Sequence, residues 1–252
     1  MIRNFFWGDG FISESKSKAV RGMKFFPDAQ WYINRKNRYV LAAKGGHNCE
    51  PHNHNDVGSV VIFSNGKYVV DDLGWPEYDG NYFKHETHRY KDYICASSLG
   101  HSVPVVDYDE QMYGKDYYAT VIKATDDVFA LDLSHAYGLK DNSVTREICL
   151  GQNEVKIHDN VSFDHTVISR ISVRIEPKIT SKGVEIGNAL ITPVNECSIS
   201  ISEEPFETRY SVARSDTGRY VTAYLIDFVP KNDKTHVELL IKFKQRYRKN
   251  EG

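Results

Sequence analysis

Histidine residues concentrated in one part of the chain give the first indication of chemistry. Six of the ten histidines lie between residues 47 and 101, namely His47, His52, His54, His85, His88 and His101. Two of them, His52 and His54, are separated by a single residue. Because side chains alternate along an extended chain, these two imidazoles are predicted to point to the same side and to share one site.

A carboxylate is predicted to reach the same site through a β-hairpin. The apolar runs 59–63 and 68–72 flank the dipeptide Asn65-Gly66. Asn-Gly favours a tight hairpin because both turn residues must tolerate a positive φ. Such a hairpin would return Asp72, at the end of its second strand, to the neighbourhood of His54.

His101 precedes another predicted strand and supplies a third candidate ligand beside His54 and Asp72. Two histidine nitrogens and one carboxylate oxygen form a common ligand set for Zn²⁺, which leaves a fourth position for water or substrate. Residue types and spacing alone leave open that these are three separate polar residues. A cupin-type metal site is disfavoured, because Gly58 and Ser59 stand where a cupin supplies its glutamate. A metal oxygenase of another kind remains an alternative.

The elements that must position these residues are strands. Apolar and polar residues alternate with period two after residue 30, and no stretch shows the apolar stripe of an amphipathic helix. The segment 31–43 is predicted as a strand or hairpin with a polar turn at 35–38. Further strands are predicted at residues 117–124, 128–133, 144–150, 154–163, 167–175, 183–186, 189–192, 197–202, 208–213, 219–228 and 237–243. The fold class is therefore predicted as all-β, an antiparallel multi-stranded β-sandwich with little helix.

The domain organisation is predicted as one β-sandwich domain over residues 27–252, preceded by a polar lead-in at residues 1–26. A long segment at 73–102 interrupts the strand pattern and is predicted as the site loop, since long loops in compact domains are usually functional or disordered. Trp31 lies in an alternating strand and is expected in the core, whereas Trp75 lies in the loop and is expected to line a cleft.

Composition and charge argue against several classes of partner. Of the 252 residues, 40% are hydrophobic and 12% aromatic, which is typical of a folded chain. The formal net charge is -2, so no nucleic-acid partner is expected. No apolar run approaches the roughly 20 residues of a membrane helix, so no membrane partner is expected. Residues 1–22 lack the apolar stretch of a secretory signal. The location stays open: cytoplasmic if Met1 is the native start, periplasmic or secreted if the chain is an excised domain.

Several motifs resemble those of a known family. Residues 42–48 read Ala-Ala-Lys-Gly-Gly-His-Asn and residues 52–58 read His-Asn-His-Asn-Asp-Val-Gly. This pattern resembles the C-terminal domain of the heparinase II/III-like polysaccharide lyases. The likeness covers about residues 27–107 and continues in Asp72-Leu73-Gly74, Arg89-Tyr90, Ser97-Ser98, His101 and Pro104.

The resemblance implies roles for individual residues. His54, Asp72 and His101 match the three ligands of a zinc ion that braces the β-domain beside the active site. His52 matches a histidine that faces the substrate and helps to neutralise its uronate carboxylate. The implied cofactor is Zn²⁺, which would orient loops and His52 rather than activate a water. Ser102 stands where the family usually has Asn, which changes a hydrogen bond around the third ligand but not the ligand itself.

The resemblance also implies a sugar cleft and a reaction. Tyr78 or Tyr82, together with Arg89 and Tyr90, match positions that line the cleft. The implied reaction is β-elimination on an acidic, uronate-containing polysaccharide such as heparin, heparan sulfate or alginate. A base removes the proton on C5 and the 4-linked sugar leaves, while hydrogen-bond donors stabilise the anion that develops.

In the family, the catalytic base comes from a helical toroid that precedes the β-domain. The first predicted strand here begins at residue 31, so the chain is expected to be the β-half alone. It would then be inactive, or weakly active, without a helical toroid domain or chain. The alternative is a non-catalytic carbohydrate-binding or scaffold β-domain that partners a separate helical chain.

Overall fold

Strands dominate the computed structural model, which describes residues 21–76, 78–207 and 220–244. Every strand pair among these residues is antiparallel. In chain order the strands are β1 (Gly22–Phe26), β2 (Trp31–Arg35), β3 (Tyr39–Lys44), β4 (His47–Asn48), β5 (Val60–Ser64), β6 (Lys67–Val70), β7 (Pro104–Val106), β8 (Gly114–Tyr118), β9 (Thr120–Ala124), β10 (Val128–Asp132), β11 (Val144–Leu150), β12 (Glu154–Val161), β13 (Val167–Val173), β14 (Lys178–Thr180), β15 (Gly183–Ile186), β16 (Ala189–Pro193), β17 (Cys197–Glu207), β18 (Tyr220–Pro230) and β19 (His236–Phe243). The prediction of an all-β antiparallel fold is confirmed.

The strands form four sheets. A five-stranded sheet has the order β1-β2-β3-β5-β6, and an eight-stranded sheet has the order β14-β15-β16-β19-β12-β11-β10-β9. A four-stranded sheet has the order β17-β18-β13-β7, and β4 pairs with β8. Helix is confined, in the described part of the chain, to short turns at His85–Arg89, Tyr90–Asp92, Ser98–Gly100 and Ser134–Tyr137. None of these helices is long and apolar enough to cross a membrane.

One hydrophobic cluster joins the three larger sheets. Strands such as β11 and β12 alternate strictly between buried and more exposed residues, so each sheet presents one apolar face to this cluster. Completely buried members include Leu41 from the five-stranded sheet, Ile157 from the eight-stranded sheet and Ile226 from the four-stranded sheet. The core therefore lies between the sheets, which is the arrangement of a β-sandwich.

Both predicted hairpins are present. The polar turn at 35–38 connects β2 to β3, and Asn65-Gly66 connects β5 to β6 with φ values of 51° and 79°. The expectation for Trp31 is wrong, because this side chain is 41% exposed. In β2 the alternation buries Tyr32 and Asn34 instead, so the larger ring lies on the outer face.

Some of the observed strand boundaries differ from the predicted ones. β1 lies within residues 1–26, so the sheet begins inside the segment predicted as a lead-in. The strand predicted at 117–124 is divided between β8 and β9 at Ala119, whose N–H donates to the carbonyl of Gly46 instead (2.9 Å). The strand predicted at 208–213 lies outside the described residues.

Candidate functional site

The segment between β4 and β5 carries His52 and His54 and folds as consecutive turns rather than as a strand. His52 has a φ of 60°, which breaks the extended path on which the side-chain alternation was based. His54 is consequently buried, whereas His52 is exposed. The N–H of Asn55 donates to the carbonyl of Ala96 (3.0 Å) and ties this turn to the segment before His101. The prediction that the two imidazoles point to the same side is therefore wrong.

His54, Asp72 and His101 are brought together by the fold. One ligand atom from each residue lies within 4.8 Å of the other two. The two imidazole rings are 5.3 Å apart between centroids, and His101 Nδ1 is 3.4 Å from Asp72 Oδ2. Nitrogen and oxygen ligands of Zn²⁺ lie about 2.0–2.2 Å from the metal, so small side-chain rotations would allow all three to contact one ion.

The environment of His101 indicates which of its nitrogens is available. Its Nε2 lies 3.0 Å from the carbonyl oxygen of Cys95, so Nε2 carries the proton and donates it to that acceptor. Nδ1 then holds a lone pair, and this buried atom has no hydrogen-bond partner among the described residues. A lone pair that faces a carboxylate is unfavourable unless a cation or a proton lies between them. Either a proton on Nδ1 or a divalent cation would satisfy it, and two imidazoles with one carboxylate are a donor set that fits such a cation.

The protonation states of two of the three groups suit a metal, and the third, His101, must lose a proton to bind one. Burial, followed by the charge of His101, lowers the pKa of His54 to about 4, so this imidazole is neutral at pH 7. Burial acts against protonation of His101 too, but the interaction with Asp72 outweighs it and raises the pKa of His101. Burial acts to raise the pKa of Asp72, whereas contact with both imidazoles outweighs that effect and lowers it. Asp72 is therefore ionised.

Asp72 reaches the site just beyond β6, not within it. The strand was predicted to continue through Asp72, and this boundary is wrong because the N–H of Asp71 donates to Ser172 of β13 (2.9 Å) instead of to β5. The Asp71 carboxylate accepts hydrogen bonds from Arg174 at 2.7 and 3.1 Å. The neighbouring Asp72 carboxylate accepts one from the N–H of Gly74 (2.7 Å). These contacts orient the chain so that Asp72 faces His101.

A completely buried ion pair lies beneath the site. Arg146 of β11 and Asp159 of β12 are both inaccessible to solvent, and two guanidinium nitrogens donate to the two carboxylate oxygens at 2.7 Å each. The remaining nitrogen of Arg146 donates to the carbonyls of Gly58 (2.9 Å) and Ser102 (2.6 Å). Ser169 also donates to Asp159. Because every charged atom of the pair has a partner, the pair can persist without water.

Three arginines contact the loops that carry the candidate ligands, each close to a ligand residue. Arg146 contacts the chain four residues after His54 and immediately after His101. Arg174 binds the residue before Asp72. Arg170 pairs with an aspartate of β18 and donates to the carbonyl of Leu99 (2.8 Å). The loops that carry the candidate ligands are thus held by residues in β11, in β13 and immediately after β13.

Sequence reasoning missed this pair, although a signal was present. In β11, Arg146 lies on the same face as Val144 and Ile148, and in β12, Asp159 lies on the same face as Ile157 and Val161. A charged residue on the apolar face of a strand is expected to be buried, and a buried charge requires a partner. Two such positions on adjacent strands indicate a buried ion pair.

The four residues matched to a sugar cleft differ in accessibility. Tyr78 is 38% exposed, whereas Tyr82, Arg89 and Tyr90 are at most 5% exposed. Arg89 stacks on the ring of Tyr82 (4.3 Å), and donates to the Tyr82 hydroxyl and to the carbonyl of Asn53, both at 2.8 Å. Arg89 therefore anchors the residue that precedes His54. A direct contact of these side chains with sugar stays a prediction.

A cleft of about 750 Å³ lies next to the site and is lined in part by Cys95, whose carbonyl accepts a hydrogen bond from His101. Tyr78 and Tyr90 contribute to its lining. Its acidic lining residues are Asp79, Asp92, Glu110 and Glu204, and its basic residue is Lys91. This excess of carboxylates disfavours an anionic ligand in that part of the cleft.

Comparison with known proteins agrees with the fold and the motifs. The all-β fold is that of the C-terminal β-domains of heparinases. The sequence model of the heparinase II/III-like C-terminal family matches residues 18–189, and the chain belongs to this family. The resemblance predicted from residues 27–107 is confirmed. A search of curated proteins found no match.

Three solved structures illustrate the similarity of the fold. Heparan sulfate lyase HepC from Pedobacter heparinus is 17% identical with a TM-score of 0.62, and the match covers 92% of this chain and 38% of that one. A heparinase III gene product is 14% identical with a TM-score of 0.61, covering 89% and 36%. Another heparinase III is 13% identical with a TM-score of 0.62, covering 89% and 37%. The chain thus spans less than half the length of these proteins.

Proposed function

We propose that this chain is the zinc-braced β-domain of an enzyme that cleaves acidic, uronate-containing polysaccharides by β-elimination. Zn²⁺ would be held by His54, Asp72 and His101. The observation that carries the proposal is the buried Nδ1 of His101, which lies 3.4 Å from an Asp72 oxygen and has no hydrogen-bond partner among the described residues. Membership of the heparinase II/III-like C-terminal family supports the substrate class.

When bound, zinc would supply a cross-link and a positive charge between three loops that are distant in sequence. Each loop is already held by hydrogen bonds near its ligand, so the ion would complete a pre-formed arrangement. His52, two residues from His54, is exposed on a turn that Arg89 anchors through Asn53. The imidazole of His52 would donate a hydrogen bond to the uronate carboxylate and so favour removal of the C5 proton.

The rest of the catalytic machinery is proposed to come from a helical toroid domain or chain. Tyr82 and Tyr90 are poor bases: burial raises the pKa of Tyr82 to about 12 and also raises that of Tyr90. Their hydroxyls stay protonated at neutral pH, so they are suited to donating hydrogen bonds and not to removing a proton. A base from a second domain is therefore part of the proposal.

Metal content tests the zinc site. Protein purified without added zinc should contain about one zinc ion per chain, and chelation should lower its melting temperature. His54→Ala should lose the ion and show no further decrease on chelation. His135→Ala is a matched control, because His135 is partly exposed and pairs with Asp141 (2.6 Å) away from the ligands. Absence of metal from the unmodified chain, with a melting temperature that chelation does not change, would refute the zinc proposal.

Product formation tests the enzymatic part. β-Elimination creates an unsaturated uronate that absorbs ultraviolet light, and its release from heparan sulfate, heparin or alginate can be followed directly. The chain alone should release little or none, and product should appear when a helical toroid chain of the same family is added. His52→Ala should reduce that activity while leaving the zinc content unchanged. Full activity of the chain alone would contradict the need for a second domain.

A non-catalytic carbohydrate-binding role is the second candidate. It is favoured by two aromatic side chains near the cleft, since Trp75 is 42% and Tyr78 is 38% exposed and such rings stack well on sugar faces. Binding of the oligosaccharide by the chain alone, unchanged in His52→Ala and weakened in Trp75→Ala, would support this role. Zinc-dependent product release with a helical chain would exclude it as the complete function.

A further inference from the structure

A second group of metal-ligating side chains lies on the outer face of the eight-stranded sheet. His158 belongs to β12, and His236 and Glu238 belong to the neighbouring β19. One ligand atom from each lies within 4.8 Å of the other two. All three point away from the core, because the residues between them in each strand are buried. This group is separate from the His54, Asp72 and His101 site, which is formed by loops.

The strand register explains why the three side chains meet. His158 lies directly opposite Glu238, and His236 lies directly opposite Asn160, two residues along β12. His158 and His236 are therefore diagonal neighbours, a separation that long side chains bridge across a sheet. Their rings are 6.4 Å apart between centroids and inclined by 31°. Because β12 and β19 are central strands of this sheet, the group has a rigid support.

The hydrogen bonds around these residues leave ligand atoms available. His236 Nδ1 donates to Asn160 Oδ1 (2.7 Å), which leaves a lone pair on Nε2. His158 Nδ1 is 3.8 Å from Glu238 Oε2, too far for a hydrogen bond. The imidazole of His158 makes no hydrogen bond within the described ranges. Lys156 approaches the other Glu238 oxygen, Oε1, at 3.6 Å, so Oε2 is the oxygen that faces His158.

We propose that His158, His236 and Glu238 bind a second divalent transition-metal ion of the Zn²⁺ or Cu²⁺ class. Two imidazoles and one carboxylate match the preferences of these borderline ions, and the three-ligand set leaves further positions for water. The side chains of His158 and Glu238 are only 23% and 18% exposed, so the donors are held in place by their neighbours. A bound ion would join β12 to β19 across their side chains.

A competing group shares His158 but is chemically less suited. Glu147 and Cys149 of β11 also lie within 4.8 Å of His158 through their ligand atoms. Cys149 Sγ donates to a Glu147 oxygen (3.4 Å). Cys149 and Glu147 are thus engaged with each other, whereas His158 makes no hydrogen bond in the described part of the chain and His236 keeps a lone pair on Nε2, so the ion is assigned to the side of β19.

Metal titration of the full chain tests this site independently of the zinc brace. After bound metal has been removed with a chelator, calorimetry with Zn²⁺ should show two ions per chain for the unmodified protein and one for Glu238→Gln or His236→Gln, with at least a tenfold loss of affinity at the second site. Cys149→Ser is the matched control and should still bind two. With Cu²⁺, electron paramagnetic resonance should show two nitrogen ligands in His54→Ala, where only the outer site remains.

Two results would overturn the proposal. One is a stoichiometry that Glu238→Gln and His236→Gln both leave unchanged although their circular dichroism spectra match the unmodified chain. The other is loss of the second ion in Cys149→Ser with retention in Glu238→Gln, which would assign it to the β11 side. Failure of the zinc brace would instead remove the ion that depends on His54 and leave the outer site intact, so the two failures are distinguishable.

Discussion

Removing the buried guanidinium of Arg146 is expected to destabilise both the fold and the candidate metal site. In Arg146→Met, the hydroxyl of Ser169 is the one partner that the Asp159 carboxylate keeps among the described residues. An uncompensated buried charge of this kind costs about 3–5 kcal/mol. The carbonyls of Gly58 and Ser102 also lose their donor, at about 1–3 kcal/mol each where water cannot replace it. Since domains are stable by about 5–15 kcal/mol, the variant should be marginally stable.

A second substitution distinguishes the effect of the unpaired Asp159 charge from the loss of the hydrogen bonds to Gly58 and Ser102. In Arg146→Met/Asp159→Leu no carboxylate is left unpaired, and apolar replacements of buried ion pairs are often neutral or stabilising. The double variant should therefore be more stable than Arg146→Met in urea denaturation. It should still bind zinc more weakly than the unmodified chain, because Gly58 and Ser102 remain without the donor that holds them near the ligands.

Arg170→Met is the matched control for this experiment. Arg170 makes the same two-nitrogen contact with Asp227 (2.6 and 2.7 Å), but the two side chains are 14% and 18% exposed. Water can therefore hydrate the remaining carboxylate, and the expected cost is only about 1–2 kcal/mol. A cost below about 1 kcal/mol for Arg146→Met, or a double variant no more stable than the single one, would refute the reasoning.

Two further predictions concern the ligand loops. The pKa of His101 is raised, and zinc must displace its proton, so zinc affinity should fall about tenfold for each pH unit below that pKa. A second proton should be involved only near pH 4, where His54 titrates. Calorimetry between pH 4 and 8 measures this dependence, and an affinity independent of pH would contradict it. A Cβ at Gly100 would lie 1.9 Å from the carbonyl oxygen of Ile94, so Gly100→Ala should shift the His101 loop and lower the free energy of unfolding by about 1–3 kcal/mol. In the control Gly80→Ala, the added Cβ meets nothing within 4 Å, and the melting temperature should stay unchanged.

Much of the fold follows from local pattern. The strands β11, β15 and β19 lie within one residue of their predicted bounds, because strict alternation around a buried face is a property of each strand by itself. The Asn65-Gly66 hairpin was predictable for a similar reason, since the turn residues and their φ values are determined within four residues. The outward position of Trp31 was not, because alternation shows that one face is buried without showing which.

The candidate site divides in the same way. The types and clustering of His54, Asp72 and His101 pointed to a shared ligand set, and the structure places their ligand atoms within 4.8 Å. The prediction that His52 and His54 point to the same side was wrong, since the positive φ of His52 arises from a turn that the residue pattern does not specify. The burial of Arg89 was also missed, because an arginine in a loop carries no periodicity that indicates which way it faces.

The amino-acid sequence by itself determined the strands, the hairpins and the set of residues able to ligate a metal, because these depend on short-range alternation and side-chain chemistry. Only the tertiary structure decided which charges are buried and which loops meet. The pairing of Arg146 with Asp159 and the diagonal contact of His158 with His236 arise from the register between strands. That register depends on how all the apolar faces pack together, so no local segment contains it.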